Sequence, residues 1–424
     1  LIKKRILGIG IAAIILGIIL YVIWTNNRPV VIEFAMFNGS NWNVEIQDSY
    51  SFIDRAIEGF EKKHPGVKVH YVSGIPKEDY SEWLSSKILK GEAPDVMMIK
   101  DEDFNRFAEL EILEKLDSYL AKDEDFDSYR YYETALKSGK IGDVQYALPF
   151  ETVPYLMFVN KTLLNKEGIK IPNNDYTFDD LYYICKKITK DLDGDGITDQ
   201  FGIFKYSWQE AAASNGAKLF SNDGKQCYFT STKLQEAIKF TKALNDLDEN
   251  QKATRELFDK GKVAFMPLSY AEYRTYKAYP YKVKKYTDFQ WDCITLPRGR
   301  NGSNSSVVDS LNIGMGKDSK HKELSWEFLK YMTGNEEVQK DMFLNAPAAS
   351  VLHSVTEDKN LIKDIDGEFI GKVIDGGSVK PKFESYEGAV QIADAEINNY
   401  YTQDVDLDNT MRIIQRKVQE YISK

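Results

Sequence analysis

Cysteine and histidine are scarce in this chain, and their scarcity removes whole classes of chemistry. Three cysteines, Cys185, Cys227 and Cys293, are too few and too far apart for a disulfide framework or a zinc site. The four histidines (His64, His70, His321, His353) are dispersed, and three fall beside helix ends, where a solvated cap is the simpler role. There is no G-x-S-x-G, no H-E-x-x-H and no G-x-x-x-x-G-K-[ST], hence no nucleophile elbow, zinc-protease helix or phosphate loop. Acid pairs such as Asp101 with Asp103 read as surface charge, and nothing marks a glycosidase dyad. No catalytic residue is assigned, and the chain is not expected to be an enzyme. Positive charge is short as well. Against 65 acids stand 55 lysines and arginines, a net −10, whereas binding a phosphate backbone needs a basic face. Nucleic acid is therefore not the expected partner, and no repeat or low-complexity tract suggests an array.

Long apolar runs are absent too, with one exception. Residues 6–24 are uninterruptedly apolar, follow Lys3-Lys4-Arg5 and end near Tyr21 and Trp24. Such a run spans roughly 28 Å as a helix, enough for a hydrocarbon core, with basic residues at one rim and aromatic ones at the other. A cleaved signal is the rival reading. No small-x-small site precedes Pro29 and no cysteine follows the run, so an uncleaved transmembrane anchor is expected, with the bulk of the chain extracellular at the cell membrane.

The remainder is globular in composition, 43% hydrophobic and 28% charged, and 424 residues suit two domains better than one. Short apolar strands alternate with amphipathic helices: strands at 30–37, 67–72 and 96–99, helices from Ser51, over 80–89 and over 104–120. This alternation predicts a parallel α/β sheet. The stretch the chain turns on is 146–164, Y-A-L-P-F-E-T-V-P-Y-L-M-F-V-N-K-T-L-L. Pro149 and Pro154 each fix φ and remove an N–H, so the residues between them are expected as an unpaired extended crossing from one lobe to another. Beyond it, Thr177-Phe178-Asp179-Asp180 is a capping box. Further strands are expected at 201–204, 263–267 and 307–315, with helices at 235–247, 253–260, 323–332, 388–400 and 410–422.

One local pattern points to a metal. Asp191-Leu192-Asp193-Gly194-Asp195-Gly196-Ile197-Thr198-Asp199 has the front half of a calcium loop. Asp191, Asp193, Asp195 and Asp199 would supply carboxylates and Ile197 its carbonyl to a structural calcium ion. Position twelve is Gly202 and not a bidentate Glu, so a solvated acidic turn is the competing reading.

The order of these pieces resembles the carbohydrate-binding group of extracellular solute-binding proteins of ATP-driven importers, the group that includes maltose-binding protein. The likeness is carried by F-E-K-K-H-P-G-V-K-V from Phe60, A-P-D-V from Ala93, L-P-F from Leu148 through Asn160-Lys161, F-D-K-G-K-V-A-F-M from Phe258 and L-S-W-E-F-L from Leu324. Each is weak alone, and their colinear order spans nearly all of 30–424. The resemblance implies a two-lobed periplasmic-binding-protein-like α/β fold with hinge crossings. Lobe one would take 29–150 and 299–340, lobe two 151–298 and 341–424, behind an anchor at 1–28. It further implies a monomer that captures a sugar or oligosaccharide between the lobes and delivers it to permease subunits. Open α/β sheets bind at the carboxyl ends of strands. That rule, with the family pattern of cleft loops, selects Asn38, Asn41, Trp42, Asp101, Glu102, Glu151, Tyr155, Trp208, Tyr270, Glu272, Tyr273, Asp309 and Ser310 as ligand-binding candidates. A non-sugar solute (peptide, polyamine or metal chelate) on the same fold, or a sensor without a transporter, remains open.

Overall fold

Strand-helix alternation after Val30 builds the sheet that it predicts. In a computed structural model describing residues 29–44, 50–221, 224–248, 253–277, 289–300, 302–361, 365–383 and 385–424, β1 (Val30–Ala35) lies parallel to β2 (Val67–Tyr71) and to β3 (Val96–Ile99). The apolar run at 6–24 lies outside the described residues, and among those described no helix is long and apolar enough to cross a membrane. Ile32 and Phe34 of β1 point inward while Glu33 is exposed, the period-two pattern of a sheet covered on one face. The helix Ser51–Lys63 lays Phe52, Ile53, Ala56, Ile57 and Phe60 against it, at helical spacing. From the sequence Ser51 could cap this helix, and it does not. It is the first helical residue, and Tyr50 holds the N-cap position, its hydroxyl accepting from the Gly74 N–H and not capping the helix. The single helix expected over 104–120 is two, Asp101–Glu109 and Asp117–Lys122, because Glu111 adopts φ +55° and turns the chain between them.

A small hairpin, β4 (Lys140–Ile141) with β5 (Val144–Gln145), leads into the central element. The expected unpaired ribbon is instead β6 (Ala147–Asn160), one continuous strand of 14 residues in the middle of the sheet. The remaining strands are β7 (Phe201–Ile203), β8 (Val263–Ser269), β9 (Trp291–Ile294), β10 (Val308–Met315) and β11 (Ala349–Ser350). Nine of the strands form one sheet in the order β2-β1-β3-β10-β6-β8-β7, with β9 and β11 also bonded to β6. The two prolines mark irregularities in pairing, not its absence. Pro149 stands opposite Asn312, where the register slips between Leu311 and Asn312. At Pro154, opposite Val308, β6 leaves β10, and from Tyr155 it pairs with β8. A missing N–H is tolerated where a ladder is already breaking or changing hands.

Three clusters of buried side chains follow from this topology. One is built on β1, β3, the first half of β6 and the helices Lys322–Gly334 and Glu336–Asn345. A second takes Met157 and Val159 of β6 with the helices Phe178–Ile188, Thr232–Asn245, Tyr386–Thr402 and Leu407–Ile422. The alternate β6 residues Leu156 and Phe158 enter a third, with β8 and the helices His353–Thr356 and Gly367–Asp375. The first and second cores are the two lobes, and β6 runs through both. The sequence pattern did not mark Glu336–Asn345, His353–Thr356, Gly367–Asp375 or the helix Tyr270–Lys277. All four are short, and helices of that length take most of their stability from packing.

Candidate functional site

Where β6 passes from one lobe to the other, Tyr155 stands at a wall shared by two cavities. The cavity against lobe one, about 190 Å³, is lined by Asn41, Trp42, Asp101, Glu102, Tyr155 and Asp309, with Asn43, Lys77, Val153 and Ser269. The cavity against lobe two, about 730 Å³, takes Tyr155, Glu210, Phe220, Lys380, Tyr386 and Asp394 among its lining. Together they form a groove between the lobes, of a size suited to small ligands. Of the six expected residues in the smaller cavity, Asn41, Trp42, Asp101 and Glu102 follow the carboxyl ends of β1 and β3, as the carboxyl-end rule requires, whereas Tyr155 lies within β6 and Asp309 near the amino end of β10.

Glu151 lies just behind this wall. It is 7% exposed, and its carboxylate accepts a hydrogen bond from the Trp42 indole N–H at 2.6 Å. Burial pushes the Glu151 carboxyl up to about 7, against the opposing pull of the Trp42 bond and of Arg274. Arg274 is itself fixed by the carbonyls of Phe343, Ala346 and Ala348. Trp208 is buried, and its indole N–H donates at 2.7 Å to Asp394, so it orients a cavity-lining carboxylate from behind. Asn38 is exposed beside Pro76, donating its backbone N–H to the Ile75 carbonyl. Glu272 accepts from the Ser269 backbone N–H and hydroxyl at the start of its own helix. Tyr270, Tyr273 and Ser310 stand in the packed interior. The two tyrosine rings stack on each other in the third core, because β8 ends in a helix and not in an open loop. Ser310, on the central strand β10, donates to the Thr152 hydroxyl.

Apart from Tyr155, sequence reasoning missed the lobe-two wall. Ser207 and Glu210 form a capping box that was legible as S-W-Q-E. Burial pushes the Glu210 carboxyl up to about 7, opposed by its bonds from Ser207. It also missed residues 378–383, an extended stretch lying over the groove. Ser378 pairs with Val307, Lys380 pairs with Asp309 at 3.1 Å, and Lys382 pairs with Asp101 while lying over the Phe104 ring. Burial works against the Lys380 ammonium, yet Asp309 beside it holds it above the ordinary lysine range.

On the far side of lobe two, Asp191, Asp193 and Asp195 are exposed and bring carboxylate oxygens within 4.8 Å of one another. The turn needs Gly194 and Gly196, at φ +80° and +85°. The Asp191 carboxylate accepts from the Gly196 and Gly194 N–H groups, which hold it below the ordinary aspartate range. The all-oxygen donor set suits a hard cation. Asp199 stands apart from that cluster, accepting from the Leu192 N–H and facing Lys262 at 3.8 Å, and the Ile197 side chain is exposed.

Comparison with known proteins agrees with this architecture. A family model described as bacterial extracellular solute-binding protein matches residues 43–339, well over half of the chain. A binding protein of Brucella abortus is 24% identical over 296 residues, covering 66% of this chain and 68% of its own. Among solved structures, a Listeria monocytogenes ABC substrate-binding protein in complex with cycloalternan aligns with TM-score 0.68 at 21% identity, over 92% of this chain and 98% of its own. The sugar-binding protein MalE of Xanthomonas citri aligns with TM-score 0.76 at 18% identity, over 93% and 98%. A cyclic alpha-maltosyl-1,6-maltose binding protein from Arthrobacter globiformis aligns with TM-score 0.77 at 15% identity, over 93% and 99%.

Proposed function

Since the chain belongs to the bacterial extracellular solute-binding protein family, we propose that it is the carbohydrate receptor of an ATP-driven importer. The observation that carries this reading is the groove at Tyr155, between two separate cores joined by a continuous strand. Its walls mix rings (Trp42, Tyr155, Phe220, Tyr386) with carboxylates and amides, a lining suited to sugar C–H faces and hydroxyls. The ligands named for two similar structures, cycloalternan and cyclic alpha-maltosyl-1,6-maltose, support the same class. The protein works without chemistry: a sugar touches both lobes only when they are closed, and so shifts the population toward closure, the form a permease would engage. A monomeric receptor held to the membrane by residues 6–24 suits that task, and the Asp191 loop would carry a structural calcium ion. A thermal-shift screen over mono- and oligosaccharides tests the core of it. Binding to the folded state raises the melting temperature, and a panel that leaves it unmoved while a peptide or polyamine raises it would end the sugar reading.

A further inference from the structure

Three carboxylates line the smaller cavity, and each already has an ammonium of its own. Asp101 is paired with Lys382, Glu102 with Lys100 at 2.6 Å and Asp309 with Lys380 at 3.1 Å. The fourth ammonium there, Lys77, is different. It is held only by neutral oxygens, the Asn41 carbonyl at 2.5 Å and the Asn43 side-chain oxygen at 3.1 Å. Among the described residues no carboxylate lies within ion-pair distance of it. A lysine ammonium has three donors, and these two contacts leave one for the cavity that Lys77 lines. Lys100 stands close by, donating to the Lys77 backbone carbonyl at 3.1 Å, with its own charge matched by Glu102. Burial, then the charge of Lys100, pull the Lys77 ammonium below the ordinary lysine range, against the weaker effects of Glu102 and Glu78. A cation in that setting is one to which the described residues give no ion-pair partner.

We propose that the solute carries the missing charge: the ligand is an anionic carbohydrate whose carboxylate or sulfate docks on Lys77. The inference rests on the sugar-receptor reading and narrows it. Neutralised in pairs, the three carboxylates act as hydrogen-bonding dipoles toward sugar hydroxyls, and Lys77 sets the sign of the corner. A net charge of −10 over the chain does not oppose this, because at physiological salt exposed charges beyond about 8 Å are largely screened.

Calorimetric titration of the whole protein with three matched oligosaccharide sets, neutral, uronic-acid-containing and sulfated, tests the proposal. One anionic set should bind roughly ten- to hundred-fold more tightly than its neutral counterpart, the range of a charge-assisted hydrogen bond. The two anionic arms identify which group is taken. Lys77→Met should erase that preference, while Lys77→Arg should keep most of it, and both should melt close to wild type. If the neutral set binds as well as or better than both anionic sets, or if Lys77→Met keeps the preference, the inference falls and the sugar receptor stands. If no set binds at all, both fall.

Discussion

At the scale of single residues, the groove is governed by side chains whose protonation the fold has moved. Glu151 is the sharpest case, since burial raises its carboxyl from 4.5 to about 7. A raised acid means that the folded chain binds the proton more tightly than the unfolded one. The stabilisation is therefore complete below about pH 4.5 and is lost as pH rises through about 7. If the whole shift is realised, that loss is of order 3 kcal/mol. Glu151→Gln keeps an oxygen for the Trp42 indole and removes the titration. It should match wild type near pH 4.5 and exceed it in denaturant stability at pH 8. The Trp42 emission should titrate near pH 7 only in wild type. Because Glu210 carries a like shift, the slope of stability with pH should shrink in the variant without vanishing. A variant that matches wild type near pH 4.5 but is weaker than it at pH 8 would mean that Glu151 acts through its charge. Trp42 and Glu151 were legible as groove candidates because they follow strand and proline signals. Their hydrogen bond spans 109 positions, a separation at which no local pattern can report it. Lys77 went unread for a related reason: its partners are oxygens of a loop 34 to 36 positions away.

Elements were more legible than contacts, and the failures have a common cause. The capping box at Thr177 and the apolar spacing of Phe178, Leu181, Ile184 and Ile188 are local, and they form as read. The prolines of β6 were read as interrupting the strand, and they do not: it runs on through both. What changes at them is register at Pro149 and neighbour at Pro154, and both depend on β10 and β8, strands more than a hundred residues later. The loop entering β10 shows the same long-range constraint. A Cβ on Gly302 would sit 1.9 Å from the Ser214 carbonyl oxygen, which is backbone and has no side-chain freedom to yield. Gly302→Ala should cost about 2–3 kcal/mol by chemical denaturation, the upper part of the range for strain at a special backbone site. Gly142→Ala, at φ +59° with nothing within 4 Å, should cost about 1 kcal/mol through its backbone alone. Equal costs would remove the close approach as the cause. The Asp191 loop allows a cleaner experiment. Calcium at a hundred times its dissociation constant should stabilise wild type by about 2.7 kcal/mol, and the shift should disappear in Asp193→Asn with Asp195→Asn. An unchanged melting curve with calcium would leave the loop as an acidic turn whose carboxylates cap their own backbone.

For the whole molecule, the question is what holds two lobes in register when one strand serves both. β6 fixes their middle, so any rocking must be resisted at the groove mouth, where residues 378–383 cross. Phe383 packs on Phe220 and Tyr386 in the second lobe, and one residue away Lys382 reaches Asp101 and lies over Phe104 in the first. The Lys382 side chain is only 9% exposed whereas Asp101 is 43% exposed, so the pair is more shielded than a surface bridge and less than a buried one. A worth of about 1 kcal/mol follows from that intermediate setting. Since the pair ties the 378–383 stretch to lobe one, Lys382→Met should raise the open population and weaken ligand binding about five-fold. The loss should appear in small-angle scattering of the ligand-free protein as a larger radius of gyration. Wild type should move the same way as salt is raised, because screening acts on the same charges, and Lys382→Met should respond less. Exchanging the charges, Lys382→Asp with Asp101→Lys, should recover part of the affinity. That recovery separates a latch from a mere packing contact, because the Phe104 ring would lose its cation while the bridge is remade. If the double exchange binds no better than Lys382→Met alone, and scattering of the two matches wild type, the lobes are held by β6 and its cores without help from the strap.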